Sequence, residues 1–218
     1  MQDNQKFLET HSTWNALAEW YEKKFMDFDA YNEAYDFWLA LMPKQNVFAL
    51  DLGSGPGIIP YYTKKNGFAF KWTLVDVAPA MMERAKMHMR EAECIVCDIE
   101  RFESDAQVYD AITAGFVWPY LPPENNSLLM VKISKWLKPN GRLFLSFVEG
   151  DHHAETFGSN SLGMRSVFYY HSIEKITELL IQHGFDVEFV HKSMYSKNDE
   201  EECHVSIIAQ KLNSTKMT

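Results

Sequence analysis

Ala49-Leu50-Asp51-Leu52-Gly53-Ser54-Gly55-Pro56-Gly57 ends an apolar run in an acid and then places glycine at every second position. The run from Val47 to Leu50 predicts a short buried strand, followed by a turn that glycine makes tightly. A helix is expected next, near Ile58 to Lys65, with its N-terminal amides turned back toward the loop. Free N–H groups and the positive end of a helix dipole attract an anionic group. Glycine also lets the backbone approach a ligand that a side chain would hold away. The stretch therefore points to a nucleotide-like cofactor.

Its spacing narrows the choice. A dinucleotide-binding loop reads G-x-G-x-x-G, and the third glycine would fall on Ile58. A triphosphate-binding P-loop would end in Gly-Lys-Ser/Thr, which is absent here. The observed Asp51-x-Gly53-x-Gly55-x-Gly57 resembles motif I of the class I S-adenosylmethionine-dependent methyltransferases. The downstream spacing agrees. A second apolar run, Phe70 to Val75, ends at Asp76 and continues Val77-Ala78-Pro79-Ala80-Met81. A carboxylate at such a strand tip can accept both hydroxyls of a ribose. A third, Cys94 to Cys97, ends in Asp98-Ile99; a fourth, Val108 to Thr113, opens into Gly115-Phe116-Val117-Trp118-Pro119-Tyr120. Asp51, Asp76 and Asp98 thus fall on one edge of a parallel sheet, the edge where open α/β sheets bind ligands.

Charge and length bound the rest. The 218 residues suit one domain with one core. Thirty acids against 21 basic residues give a net charge of −9, and no basic stripe of the kind that holds a nucleic-acid backbone is visible. A small or peptide-sized acceptor is favoured, with nucleic acid as an unfavoured partner. No apolar run reaches the ~20 residues of a membrane span, and Met1 to Lys6 carries no signal-peptide pattern, so a cytoplasmic location is expected. Cys94-x-x-Cys97 looks like half a metal site, but strand residues three apart point to opposite faces. Only Cys203 remains to complete a set. The thiols are read as small apolar residues, with no metal expected and a reducing compartment.

Trp14, Leu17, Ala18, Tyr21 and Phe25 form one helical stripe, and Tyr31, Ala34, Tyr35, Trp38 and Met42 another, ended by Pro43. Strand and helix runs then alternate to Phe147. A helix from about Glu124 to Leu137 stops at Pro139-Asn140-Gly141, which feeds a fifth strand, Arg142 to Val148. Ser172 caps a helix through about His183, with Gly184 as its stop. Phe185–His191 and His204–Lys211 read as a strand pair joined by a polar loop, Ser196 to Glu202.

This order is similar to the class I methyltransferase layout over nearly the whole chain. The resemblance implies a Rossmann-like, doubly wound, seven-stranded α/β sheet, mostly parallel, with an antiparallel last strand beside the fifth. It divides the single domain into a helical cap (1–44), a cofactor-binding core (45–149), a candidate lid insertion (150–171) and a C-terminal helix and strand pair (172–212). Trp14-x-x-x-Ala18-x-x-Tyr21 resembles the small-molecule branch, with Tyr21 near the cofactor's methionine end. Pro-Asn-Gly stands where many members have Pro-Gly-Gly, and Asn also tolerates a left-handed backbone.

The implied cofactor is S-adenosylmethionine, and the candidate residues for it are Tyr21, Asp51, Gly53, Ser54, Gly55, Gly57, Asp76, Val77, Met81, Asp98, Ile99 and Phe116. The glycine loop would lie under the methionine carboxylate, with Asp51 at the ammonium. Asp76 would take the ribose, Asp98 the adenine amine, and Val77, Ile99 and Phe116 the adenine face, the last three doubling as ordinary core positions. On the acceptor side the candidates are Trp118, Tyr120, His152 and Tyr169, with His152-His153 also reading as a solvated loop pair. Trp118 would in addition favour the sulfonium by cation–π attraction. No catalytic base is assigned. Two other readings stay open: a non-catalytic module that binds the same cofactor, and an NAD-linked oxidoreductase, to which the missing third glycine is the main objection.

Overall fold

The run around Asp51 becomes β1 (Gln45–Leu52), whose successive side chains enter cores on opposite faces of one sheet. In this computed structural model residues 2–151, 155–159, 163–197 and 200–213 are described. β1 pairs in parallel with β2 (Ala69–Asp76) on one side and with β4 (Tyr109–Ala114) on the other. β3 (Glu93–Val96) extends the sheet beyond β2, and β5 (Leu137–Val148) beyond β4. The chain then closes the far side with an antiparallel pair, β8 (Phe185–Lys197) and β9 (Glu200–Lys211), giving the order β3-β2-β1-β4-β5-β9-β8. The seven-stranded Rossmann-like sheet with β9 antiparallel beside β5 is as expected.

Two layers of helix bury the sheet. α2 (Asn32–Ala40), α3 (Ile58–Lys65) and α4 (Pro79–His88) cover one face through Trp38, Leu39, Ile59, Met82 and Ala85. α5 (Pro123–Trp136) and α6 (Ile173–Gln182) cover the other through Met130, Ile133, Trp136, Ile176 and Leu180. Ser172 caps α6 by accepting the Lys175 amide at 3.3 Å, and Gly184 follows with φ 81°. Both are what the sequence predicts.

Two boundaries differ from the reading. β5 starts at Leu137, because Leu137 already pairs with Tyr109; Pro139-Asn140-Gly141 then forms an irregularity inside the strand, with Asn140 at φ 62°. The polar stretch from Ser196 is ladder rather than loop, paired as Ser196 to Glu201 and Lys197 to Glu200. An antiparallel pair satisfies its backbone through the ladder whatever side chains it carries. The 150–171 segment carries a hairpin, β6 (Glu155–Ser159) with β7 (Arg165–Tyr169); its middle, 160–162, lies outside the described residues.

The hairpin rests on the long first helix, α1 (Gln2–Phe25). Thr13 donates to the Arg165 carbonyl at 2.6 Å, the Val167 amide to Thr10 Oγ1 at 2.9 Å, and Arg165 forks onto Glu9. At its other side α1 meets α4, where the Ala80 amide donates to Asn15 Oδ1 at 2.9 Å. α1 and the hairpin together roof the end of the sheet where β1, β2 and β4 finish. No helix among the described residues is long and apolar enough to cross a membrane.

Candidate cofactor and acceptor site

The loop after β1 takes the shape its glycines permit. Gly53, Gly55 and Gly57 all have positive φ, at 62°, 53° and 82°, where L side chains are strained. A Cβ on Gly53 would stand 2.4 Å from Val117 Cγ2, so the strand-β4 turn closes directly on this residue. At Gly55 the space is open: a Cβ would find nothing nearer than Tyr21 Cε1 at 3.9 Å and Met81 Sδ at 4.0 Å. Ser54, buried between them, has a hydroxyl with no hydrogen-bond partner among the described residues.

Asp76, at the tip of β2, ties the loop down. Its Oδ2 accepts the Gly55 amide and its Oδ1 the Ala78 amide, each at 2.9 Å. Burial raises the Asp76 pKa, opposed by the Ala78 and Gly55 amides. Each oxygen keeps a further lone pair for a ligand hydroxyl. Asp51 is nearly inaccessible, at 2%, and its Oδ1 accepts the Thr113 hydroxyl at 2.6 Å. Burial pushes its pKa up to about 7; the Thr113 hydrogen bond opposes the rise and the Asp76 carboxylate adds to it. An acid held near neutrality beside an open glycine loop is poised to pair with an incoming cation. Asp98, after β3, accepts the Glu100 amide at Oδ1, 2.9 Å, and keeps Oδ2 4.0 Å from Arg101 Nε.

Tyr21 stands beside Gly55 in an aromatic wall with Trp14 (ring centroids 5.5 Å apart) and Phe25 (4.7 Å). Burial and the nearby Asp76 raise its phenol pKa. Met81 is buried among Ala18 and Ala78, and Val77 is partly exposed at the β2 tip. The structure therefore gathers Tyr21, Ser54, the three glycines, Asp76 and Met81 around one space, with Asp51 beneath it. Ile99 packs in the core on the α5–α6 side, whereas Phe116 packs on the α2–α4 side against Tyr31 and His204, each 4.9 Å away. The two thus pack in cores on opposite faces of the sheet.

The acceptor candidates divide. Trp118 is wholly inaccessible in the α5–α6 core, and its carbonyl is held 3.1 Å from His171 Nε2. It reaches neither an acceptor nor a sulfonium, correcting both expectations. Phe116 adopts φ 53° with its amide on Ser146 Oγ; that left-handed residue redirects the chain and sends Trp118 inward. Tyr120 does reach the space under the roof, 5.1 Å from Trp14 and 5.7 Å from Phe168. Tyr169 instead lies on the opposite face of β7, its hydroxyl 3.3 Å from Glu155. His152 and His153 lie outside the described residues. The sequence reading missed Val117, Phe168 and the buried pair Tyr31–His204; of these only Val117, next to the quoted β4 turn, left a local signal.

The residues fit a cofactor such as S-adenosylmethionine. An unpartnered Ser54 hydroxyl, an open Gly55 and the N-terminus of α3 suit a carboxylate. Asp51 suits an ammonium and Asp76 a diol.

A family model described as a methyltransferase domain matches residues 49–141. Among solved structures the chain is similar to the 1,6-didemethyltoxoflavin-N1-methyltransferase of Burkholderia thailandensis, solved with 1,6-didemethyltoxoflavin and S-adenosylhomocysteine. The identity is 18% and the TM-score 0.73, over 97% of this chain and 90% of that one. It is similar also to a SAM-dependent methyltransferase of Methanosarcina mazei, at 15% identity and TM-score 0.71, over 81% of this chain and 97% of that one. A third similar structure is the [4+2]-cyclase SpnF, at 15% identity and TM-score 0.65, over 83% of this chain and 80% of that one. At these identities the solved structures speak for the fold, which hosts more than one reaction. No curated protein sequence matches the chain.

Proposed function

We propose that the chain is a class I S-adenosylmethionine-dependent methyltransferase and that its methyl acceptor is a small molecule, methylated on oxygen, nitrogen or carbon. The observation that carries this is the roof. α1 and the β6–β7 hairpin are joined to each other by Thr13, Thr10 and the Arg165–Glu9 pair, over the same sheet end that holds Asp51, Asp76 and the glycine loop. Such a cover favours a small acceptor over a folded macromolecule. The acidic net charge of −9 argues in the same direction against nucleic acid. The B. thailandensis structure, with a small heteroaromatic and S-adenosylhomocysteine bound, supports the reading by analogy.

We assign the cofactor contacts as follows. The loop amides, Ser54 and the α3 N-terminus hold the methionine carboxylate; Asp51 takes the ammonium and Asp76 the ribose hydroxyls. Asp98 takes the adenine amine, and Tyr21 and Met81 flank the methionine end. Bound S-adenosylmethionine supplies an electrophilic methyl carbon and a neutral leaving group. The chain's own work is then orientation and exclusion of water, worth up to ~7–11 kcal/mol in favourable intramolecular cases. The 150–171 hairpin serves as a lid in this account, within one domain spanning 1–218. Action in the cytoplasm is part of the proposal, supported by three cysteines that are all free thiols.

The test is transfer of a labelled methyl group to fractions of a cell extract. Label in the small-molecule fraction is expected. Label confined to protein or nucleic acid would overturn the assignment, and tight cofactor binding with no transfer at all would favour the non-catalytic module.

A further inference from the structure

Tyr31, just ahead of α2, and His204, on β9, are 173 positions apart in the chain, yet the Tyr31 hydroxyl lies 2.7 Å from His204 Nδ1. The other ring nitrogen, Nε2, lies 3.3 Å from Glu202 Oε2. A carboxylate can only accept, so Nε2 carries the proton, Nδ1 is the free base, and Tyr31 donates to it. Both Tyr31 and His204 are 8% exposed.

A buried polar chain among aromatic rings adds nothing to packing that Phe and Leu would not supply, and it must be fully partnered to be tolerated. Its location suggests why it is present. Phe116, in its left-handed conformation, packs 4.9 Å from both Tyr31 and His204. Its neighbour Val117 closes over Gly53. The relay thus sits one aromatic layer from the glycine loop. Ring contacts run from His204 through Tyr195 (4.9 Å), Phe25 (6.3 Å), Tyr21 (4.7 Å) and Trp14 (5.5 Å) to Tyr120 (5.1 Å), so the relay and Tyr120 lie on one continuous aromatic wall.

We propose that Tyr31, His204 and Glu202 form a proton relay for the methyl acceptor, and that the acceptor is a planar aromatic with an ionisable hydroxyl. The inference rests on the methyltransferase reading above. The acceptor O–H bond breaks and its proton passes to Tyr31 Oη, while the Tyr31 proton passes to His204 Nδ1. The imidazolium is held by Glu202. The acceptor oxygen keeps the electron pair of the broken bond, free to form its new bond to carbon. Tyr31 touches the acceptor; His204 and Glu202 act through it. No phenolate need accumulate on Tyr31, whose proton burial holds in place. The aromatic surroundings, Phe116, Tyr195 and Tyr120, suit a flat ring.

Among the described residues the titratable groups around the relay include Tyr35 of α2, its ring centroid 6.5 Å from that of Tyr31, Tyr21 of α1, Glu202 on β9 and Tyr195 of β8, stacked 4.9 Å from the His204 ring. Beyond Tyr195, the Lys24 ammonium of α1 stands 5.5 Å from that ring's centroid.

The probe is 4-nitrophenol, whose phenolate absorbance reports its ionisation directly, added to the full chain loaded with S-adenosylhomocysteine. The bound phenol is expected to ionise about one pH unit below the free phenol, a ~10-fold shift. Tyr31→Phe and His204→Gln are expected to abolish the shift, and Glu202→Gln, at a more exposed position, to reduce it without loss of fold. S-adenosylhomocysteine affinity should stay within about twofold throughout. Equal ionisation in parent and variants overturns the proposal, as does failure of the loaded parent to bind 4-nitrophenol at millimolar concentration. Retained S-adenosylhomocysteine binding in either case leaves the methyltransferase reading standing; its loss in the parent removes that reading as well.

Discussion

The Gly55 amide donates to Asp76 Oδ2 at 2.9 Å, joining the loop after β1 to the tip of β2. One carboxylate therefore fixes the curvature of the glycine loop and faces the space where we place the ribose. Asp76→Ala removes both functions. Loss of a hydrogen bond to a charged group costs about 1.5–3 kcal/mol, so S-adenosylhomocysteine affinity is expected to fall about 10- to 100-fold, with faster amide exchange at Gly55. Calorimetry and hydrogen exchange on the same variant check the two effects together; unchanged affinity would refute the ribose assignment.

Two glycines in one loop should respond differently to the same methyl group. At Gly53 a Cβ would meet Val117 Cγ2 at 2.4 Å, at φ 62°. Gly53→Ala is expected to destabilise the fold by about 1–3 kcal/mol from overpacking, with left-handed strain of about 1–2 kcal/mol in addition. Gly55→Ala meets no atom closer than 3.9 Å and should cost only the strain. Its methyl would fill the cofactor's space, so it should lose affinity more than stability. Thermal unfolding set beside a binding titration separates them, and equal losses of stability would contradict the packing described here.

Asp51 makes stability and binding pH-dependent with a defined sign. Its pKa in the fold is raised to about 7 by burial, against ~3.9 for an unfolded Asp. Between those values the folded chain holds a proton that the unfolded chain has lost. The stabilisation is therefore present below about pH 4 and is lost as pH rises to about 7. Denaturant titrations across that range should show the decline, and Asp51→Asn should flatten it. An ammonium bound at Asp51 would drive the proton off. S-adenosylhomocysteine binding near pH 6 is then expected to release a proton, seen as a dependence of binding heat on buffer ionisation enthalpy; no such dependence would count against the ammonium assignment.

Trp118 and Tyr120, two residues apart, should behave as core and site respectively. Trp118 is wholly buried, and Trp118→Ala is expected to cost about 3–5 kcal/mol. Tyr120→Phe keeps the ring against Trp14 and Phe168 and should leave the unfolding midpoint nearly unchanged. If Trp118→Ala unfolded like the parent, its placement in the core would be wrong.

What the sequence made legible was local. Asp51, Asp76 and the three glycines lie at strand ends, where alternation and chain order alone bring them to one edge. The cap on α6 and the left-handed Asn140 were readable for the same reason: each is decided by a residue and its immediate neighbours. Trp118 was not, because one left-handed residue, Phe116, turns the chain out of the strand's alternation, and nothing in its side chain announces a positive φ. The Tyr31–His204 pair joins segments 173 residues apart, with no periodicity linking them. The ladder from Ser196 onward was hidden by polar side chains, because backbone pairing there does not depend on apolar alternation.

The central claim is that the glycine loop and its strand-end acids hold S-adenosylmethionine rather than a dinucleotide. Calorimetric titration of the full chain with S-adenosylhomocysteine, with NAD in parallel, tests it directly. Saturable one-site binding of S-adenosylhomocysteine and none of NAD is the expected result. Binding of NAD alone would contradict the account, and binding of neither would remove its premise.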